Sequence, residues 1–242
     1  MTALAEHDSG TAARILAAAR ELVLKRGVKG LTIAEIAEKA HVGKGTAYLY
    51  WKTKEDLLLG LFARDFLATV DDEIDALTTD PDIARPHRLF PRLVRGALDR
   101  PFKRALLTGD ADLLGALARD PRSTALLDQL GPAAMMDSVL PVWRKYRLVR
   151  TDWSLEAQAY ALQALLTGFI HTVTRTPVLH GVPFDTLDSI MAAAVTALLG
   201  PENAGPTDIR AAARQGLQLL HERRNAVLAL ITANHATAEE MS

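Results

Sequence analysis

Thr32, Lys44, Gly45, Thr46, Tyr48, Tyr50 and Lys54 crowd one short stretch near the amino terminus, bringing hydroxyls, amines and a bare backbone position together. Groups of this kind donate hydrogen bonds to an anion, and none of them is a nucleophile paired with a base. A lysine donates to guanine O6 and N7, a threonine reaches a phosphate or a thymine methyl, and a glycine lets the backbone come close. Tyrosine hydroxyls suit phosphate contact, and a lysine in the first turn of a helix adds its charge to the free N–H groups there. Elsewhere reactive chemistry is sparse. Glu38-Lys39-Ala40-His41 is an E-x-x-H string, but a di-metal centre needs two such strings and two further glutamates on facing helices. Cysteine is absent, which excludes disulfides, thiol catalysis and cysteine-based zinc sites. No catalytic residue, metal or cofactor is expected.

The elements that must position these groups are helices. Ile15, Ala19, Leu22 and Val23 repeat at helical spacing over about 11–26, and Lys25, Arg26 and then Gly27 form a natural carboxyl end. Thr32-Ile33-Ala34-Glu35 has the form of a capping box opening a short helix to Ala40. His41-Val42-Gly43 is a turn, and Lys44 to Trp51 is a second short helix. Thr53-Lys54-Glu55-Asp56 is another box-like cap. It opens a long helix striped by Leu57, Leu61, Phe66, Val70 and Leu77 and ended at Asp80-Pro81. Two short helices across a three-residue turn make a helix-turn-helix. Ile36, Ala37, Ala40 and Val42 form the small contact that fixes the angle of the second helix, and its leading residues then enter a major groove. Trp51 packs beneath it.

Charge supports a polyanion partner. The 242-residue chain has a net charge of −1, but residues 1–54 hold 9 Lys/Arg against 5 Asp/Glu while the rest hold 19 against 24. A basic head on an acidic body suits one-sided approach to DNA. The opening residues carry Glu6 and Asp8 without an apolar core, so no signal peptide is expected. The most apolar stretch, about 157–170, is broken by Gln163, Thr167 and Gly168 and falls short of a membrane span. A cytoplasmic protein with no membrane partner is the expectation.

Ile15-Leu16, Ala18-Ala19, Leu22, Gly27, Leu31-Thr32, Ile36-Ala37, Ala40, Val42, the run Lys44 to Trp51, and Lys54-Glu55-Asp56-Leu57-Leu58 together resemble the amino-terminal signature of the TetR family of bacterial regulators. The resemblance covers about residues 9–69, a quarter of the chain. It implies a homodimer on a pseudo-palindromic double-stranded operator, usually as a repressor. It also implies a helical body whose pocket binds a small-molecule effector that releases the DNA. Two positions depart from the signature. His41 stands where the family most often has glycine, at a site expected to need positive φ. Gly43 replaces the usual Ser or Thr, which weakens the cap by roughly a few tenths of a kcal/mol.

Aromatics are 5 % of the chain against 49 % apolar residues, and β-branched runs are short, which argues against a sheet. The expected fold is all-α: a three-helix helix-turn-helix domain over 9–69, then a helical ligand-binding and dimerisation domain over 70–242. Proline and glycine divide the body into helices near 86–99, 101–118, 123–147, 154–175 and 185–199, with Pro91 and Gly131-Pro132 bending or breaking two of them. A last amphipathic segment, about 207–231, has no assigned role. Helices 154–175 and 185–199 are apolar nearly all round and are therefore expected to pack on two sides. The resemblance makes them the dimer interface, through Leu162, Leu166, Met191, Val195 and Leu198. Trp143, Tyr160 and His171 are candidate effector-binding residues, weighed against ordinary core or interface roles. The alternative is a DNA-binding regulator whose body senses a protein partner or no ligand.

Overall fold

The computed structural model describes residues 9–108, 110, 121–175 and 183–239. Among them regular structure is helical and no strand forms. The helices are α1 (Gly10–Arg26), α2 (Ile33–Lys39), α3 (Lys44–Tyr50) and α4 (Lys54–Thr79). After a 3-10 turn (Pro81–Ala84) come α5 (Pro86–Leu98), α6 (Pro101–Thr108), α7 (Pro121–Leu130) and α8 (Pro132–Lys145). The chain closes with α9 (Leu155–Arg175), α10 (Phe184–Leu199) and α11 (Pro206–Glu239). The described residues form two compact units. One comprises those up to Ala68, those between Pro101 and Leu126, and those from Asn225 onward; the other comprises 69–100 and 127–224.

In the first unit the expected starts and stops are present as physical contacts. Ser9 caps α1 by accepting from the Ala12 N–H at 3.4 Å, and Gly27 ends it at φ 73° with its N–H on Val23 O. Such a φ suits a residue without Cβ. α1 buries Ala12, Ile15, Ala19 and Val23 and packs on α2 and α3, which also pack on each other. α4 carries more than a stripe: Leu57, Leu58, Leu59, Leu61, Phe62, Ala63, Phe66 and Leu67 are all buried. Phe62 meets Phe102 of α6 with ring centroids 5.2 Å apart. A half-buried ion pair borders the same core: Asp65 is 5 % exposed and accepts from the half-exposed Arg20 Nη1 at 2.5 Å, while the Arg20 guanidinium lies over the Phe102 ring at 5.3 Å.

In the second unit α5 packs on α9 and α10, α8 packs on α9, and α9 touches α10. Trp143 anchors α8 by donating from Nε1 to Ala84 O at 2.8 Å, with Phe90 beside its ring. Gln158, wholly buried, accepts from Arg144 Nε at 2.8 Å and donates to Arg150 O at 2.9 Å. It satisfies a loop that has no secondary structure of its own.

The expected interruption at Gly131-Pro132 is present: residues 123–147 fall in two helices, because Gly131 takes an extended conformation (φ −72°, ψ 179°) and Pro132 starts α8 afresh. Other expectations change. Pro91 does not break α5; it lies in the second turn, where its missing N–H removes one ladder bond, and its buried ring packs in the core. The last helix runs to Glu239, well past 231. The stretch of the expected helix between 111 and 118 lies outside the described residues.

The interface side chains need the largest correction. Leu162, Leu166, Met191 and Val195 are 0 %, 4 %, 1 % and 0 % exposed within their own unit, and Leu198 is half-buried. A helix apolar on two sides turns most of its bulky residues to the home core, where they bury most area, and leaves a second face outside. The exposed stripe of α9 is Ala157, Tyr160, Ala164, Gly168 and His171, and that of α10 is Ile190, Ala193 and Ala197.

Candidate nucleic-acid interface

α2 begins with a complete capping box. The Thr32 hydroxyl accepts from Glu35 N–H at 3.3 Å, and the Thr32 N–H donates to Glu35 Oε2 at 2.9 Å. The Arg26 guanidinium and Thr32 together hold the Glu35 carboxyl below the usual glutamate range. At the other end His41 takes φ 54°, so the turn position that needs positive φ has it, in a histidine. Its N–H donates to Glu38 O at 3.0 Å, and Val42 N–H donates to Ala37 O at 3.0 Å. Ile36, Ala37 and Ala40 are buried in this corner.

α3 is held from beneath at three points. Ala47 is wholly buried. Trp51, 2 % exposed, lies against Gly60 of α4, where a Cβ would stand 3.1 Å from Trp51 Nε1, so a larger residue there would push the indole back by a few tenths of an ångström. The Tyr50 hydroxyl is 2.7 Å from Ser9 Oγ, so the group expected at a phosphate instead ties α3 to the cap of α1. Gly43 supplies no side-chain cap, as its composition dictates. α4 opens next to α3 on the second box, with Thr53 N–H on Asp56 Oδ2 and Asp56 N–H on Thr53 Oγ1, both at 3.1 Å. Asp56 also accepts from Arg122 Nη1 at 2.6 Å.

What remains outward is narrow. Lys44, Gly45, Tyr48, Leu49 and Lys52 are exposed, and Thr46 and Lys54 are half-buried beside them. Lys44 Nζ stands 5.8 Å from the centre of the Tyr48 ring. The head's other cations are partly committed: Arg20 to Asp65, Arg26 to Glu35 at 2.8 Å and Lys39 to Glu21 at 2.7 Å. Lys44, Lys52 and Lys54 have no carboxylate partner among the described residues. Amines without a carboxylate partner among the described residues, on and just after a helix with a bare glycine, are equipped to meet phosphates and base edges. Ser9, Lys52 and Leu49 join the site without having stood out in the sequence. Leu49 did carry a signal: it falls out of phase with Ala47 and Trp51, the buried residues on either side.

The three candidate effector residues are not brought together. Trp143 is a core residue, Tyr160 is 78 % exposed and His171 is exposed. Within the second unit a crevice of about 10 Å³, room for about one water, lies among Pro91, Val94, Leu98, Phe169, Val173 and Met191. The Arg95–Asp188 ion pair, 2.5 Å, stands at it. Among the described residues no three His, Asp or Glu side chains gather as a metal site requires, and no helix is long and apolar enough to cross a membrane.

Residues 15–61 match the family described as bacterial regulatory proteins, tetR family. The chain is 34 % identical over 76 residues to the HTH-type transcriptional regulator YdeS of Bacillus subtilis, covering 31 % of this chain and 36 % of that protein. It is 30 % identical over 118 residues to the HTH-type transcriptional repressor KstR of Rhodococcus jostii, covering 49 % of this chain and 53 % of that one. The matches thus span between about a third and a half of these relatives' own length. A solved structure assigned to the TetR family, from Rhodococcus sp., shares the fold at 19 % identity and a TM-score of 0.51, covering 79 % of this chain and all of the other.

Proposed function

We propose that this chain, whose residues 15–61 match the tetR family of bacterial regulatory proteins, is a sequence-specific DNA-binding transcription regulator. In this reading residues 9–69 are the DNA-reading head and 70–242 the helical body. The protein acts as a repressor on a pseudo-palindromic operator, as a dimer, and a small molecule bound in the body releases it. The observation that carries the DNA assignment is the outward face of α3 and the turn after it: Lys44 on the helix and Lys52 just beyond it are exposed and, among the described residues, without a carboxylate partner, and the helix is fixed from below by Ala47, Trp51 and the Tyr50–Ser9 bond. The sign of regulation follows the KstR relative, a repressor by name.

The dimer is assigned to α9 and α10 through their exposed stripes, where Ala157, Ala164, Gly168, Ala193 and Ala197 let helices approach and Tyr160 and Ile190 offer apolar area to bury. The effector is assigned to the region of the crevice between α5, α9 and α10, whose lining is apolar apart from Arg95–Asp188; that suits an apolar molecule with one polar end. A crevice of one water is far below the roughly 300 Å³ of a typical ligand pocket. That favours keeping a second reading, in which the body senses a protein partner or no ligand.

Selection of duplexes from a random pool by the purified chain tests the first statement. An enriched inverted repeat bound by two chains supports it; recovery of unenriched sequence contradicts it. Thermal shift against a metabolite library separates the two readings of the body. A stabilising compound that also weakens binding to the selected duplex by roughly 5- to 150-fold, the usual size of allosteric coupling, supports the ligand reading, and none doing so favours the second.

A further inference from the structure

Leu49 is 81 % exposed, the most exposed large apolar side chain among the described residues, and it stands on the outward face of the helix assigned to the groove. We propose that Leu49 is a base-reading residue, which recognises the C5 methyl group of a thymine in the major groove. This rests on the DNA-binding reading above and names what one side chain of that surface reads.

The placement supplies the reasons. Leu49 follows Gly45 at i+4, and a helical side chain leans toward the turn that precedes it. The space it leans over is bare, because Gly45 has nothing within 4 Å of where a Cβ would be. The isobutyl group is therefore neither shielded by a neighbour nor able to reach the core, which Ala47 and Trp51 fill on the opposite side. A leucine has no hydrogen-bonding group, and among the base edges of the major groove the apolar feature is the thymine methyl. The exposed residues close to it in sequence include Lys44, Tyr48 and Lys52. A single leucine among cations fits a groove walled by phosphates better than an apolar protein surface.

The test uses a duplex selected from a random pool by the full chain. Each thymine of the selected site is replaced in turn by deoxyuridine, which removes the C5 methyl and nothing else. One thymine per half-site is expected to be sensitive, with binding weakened about fourfold at each, the value of one buried methyl-sized group. Leu49→Ala should bind the thymine and deoxyuridine duplexes equally and should keep the parental affinity for scrambled DNA. The proposal is overturned if no thymine is sensitive in the parental chain, or if Leu49→Ala keeps the same sensitivity. Loss of scrambled-DNA binding in Leu49→Ala would also overturn it, because Leu49 would then be holding the helix and not a base. A parental chain that enriches no sequence would instead remove the DNA-binding reading itself, a distinct result.

Discussion

Tyr50 and Glu35 show how a side chain of the right type can be committed elsewhere. A phenol hydroxyl on a recognition helix suits a phosphate, yet the Tyr50 hydroxyl lies 2.7 Å from Ser9 Oγ. A partner so distant in sequence leaves no local pattern to read. Tyr50→Phe should therefore cost about 1 kcal/mol of stability, the net value of one hydrogen bond. It should leave the salt dependence of DNA binding unchanged; a flatter slope of log K against log[salt] would return the hydroxyl to a phosphate. Glu35, by contrast, is legible, since Thr32 and Glu35 stand at capping-box spacing and both reciprocal bonds form. Its carboxyl is held below the ordinary value of 4.5, by Arg26 first and Thr32 next. A depressed folded-state pKa contributes stability above the unfolded value, and that contribution is lost as pH falls through the folded one. Glu35→Gln keeps the neutral cap and removes the titration. Its stability deficit at neutral pH should narrow as pH falls below about 4.5, as followed by thermal unfolding of both proteins. A deficit independent of pH would show that the carboxylate charge adds nothing.

At the level of helices, periodicity locates α9 and α10 but does not say which side faces home. Leu162 and Ala164 sit two positions apart, yet one is wholly buried and the other exposed. The distinction comes from α5 and α8 packing over the leucine side, information held in distant residues. The same absence of long-range information lets Pro91 read as a break and hides the extent of α11. Gly131-Pro132, where the signal is local, is legible as an interruption. The proposed dimer face yields a paired test. Leu162→Arg buries an unpaired charge and should cost about 4 kcal/mol or more, giving unfolded or aggregated protein. Ala164→Arg or Ala193→Arg should instead leave the helical circular dichroism and melting intact while converting dimer to monomer by light scattering. Folded dimers from both alanine variants would place the subunit contact on another surface.

For the molecule as a whole, the asymmetry of charge and the all-helical architecture are legible from composition and spacing. So is the helix-turn-helix, because it is built from neighbours in sequence: Thr32 to Lys54 carries its caps, turn and outward side chains in one run. The proposed effector site is not, because the crevice draws on Pro91, Val94, Phe169 and Met191 from three helices, and Trp143, Tyr160 and His171 are not brought together. In the proposed reading α3 reads bases while Lys54, at the start of α4, holds the backbone, and the rest depends on that division. The most direct measurement compares parental chain, Lys44→Ala and Lys54→Ala on the selected duplex and on scrambled DNA across a salt series. Lys44→Ala should weaken the selected site by roughly 1–3 kcal/mol for each base pair it reads and relax preference at one base pair in each half-site. Lys54→Ala should weaken all sequences alike and flatten the salt slope by about one unit for each phosphate it no longer neutralises. If neither substitution weakened binding to either duplex, the outward face of α3 would not be the surface that meets DNA.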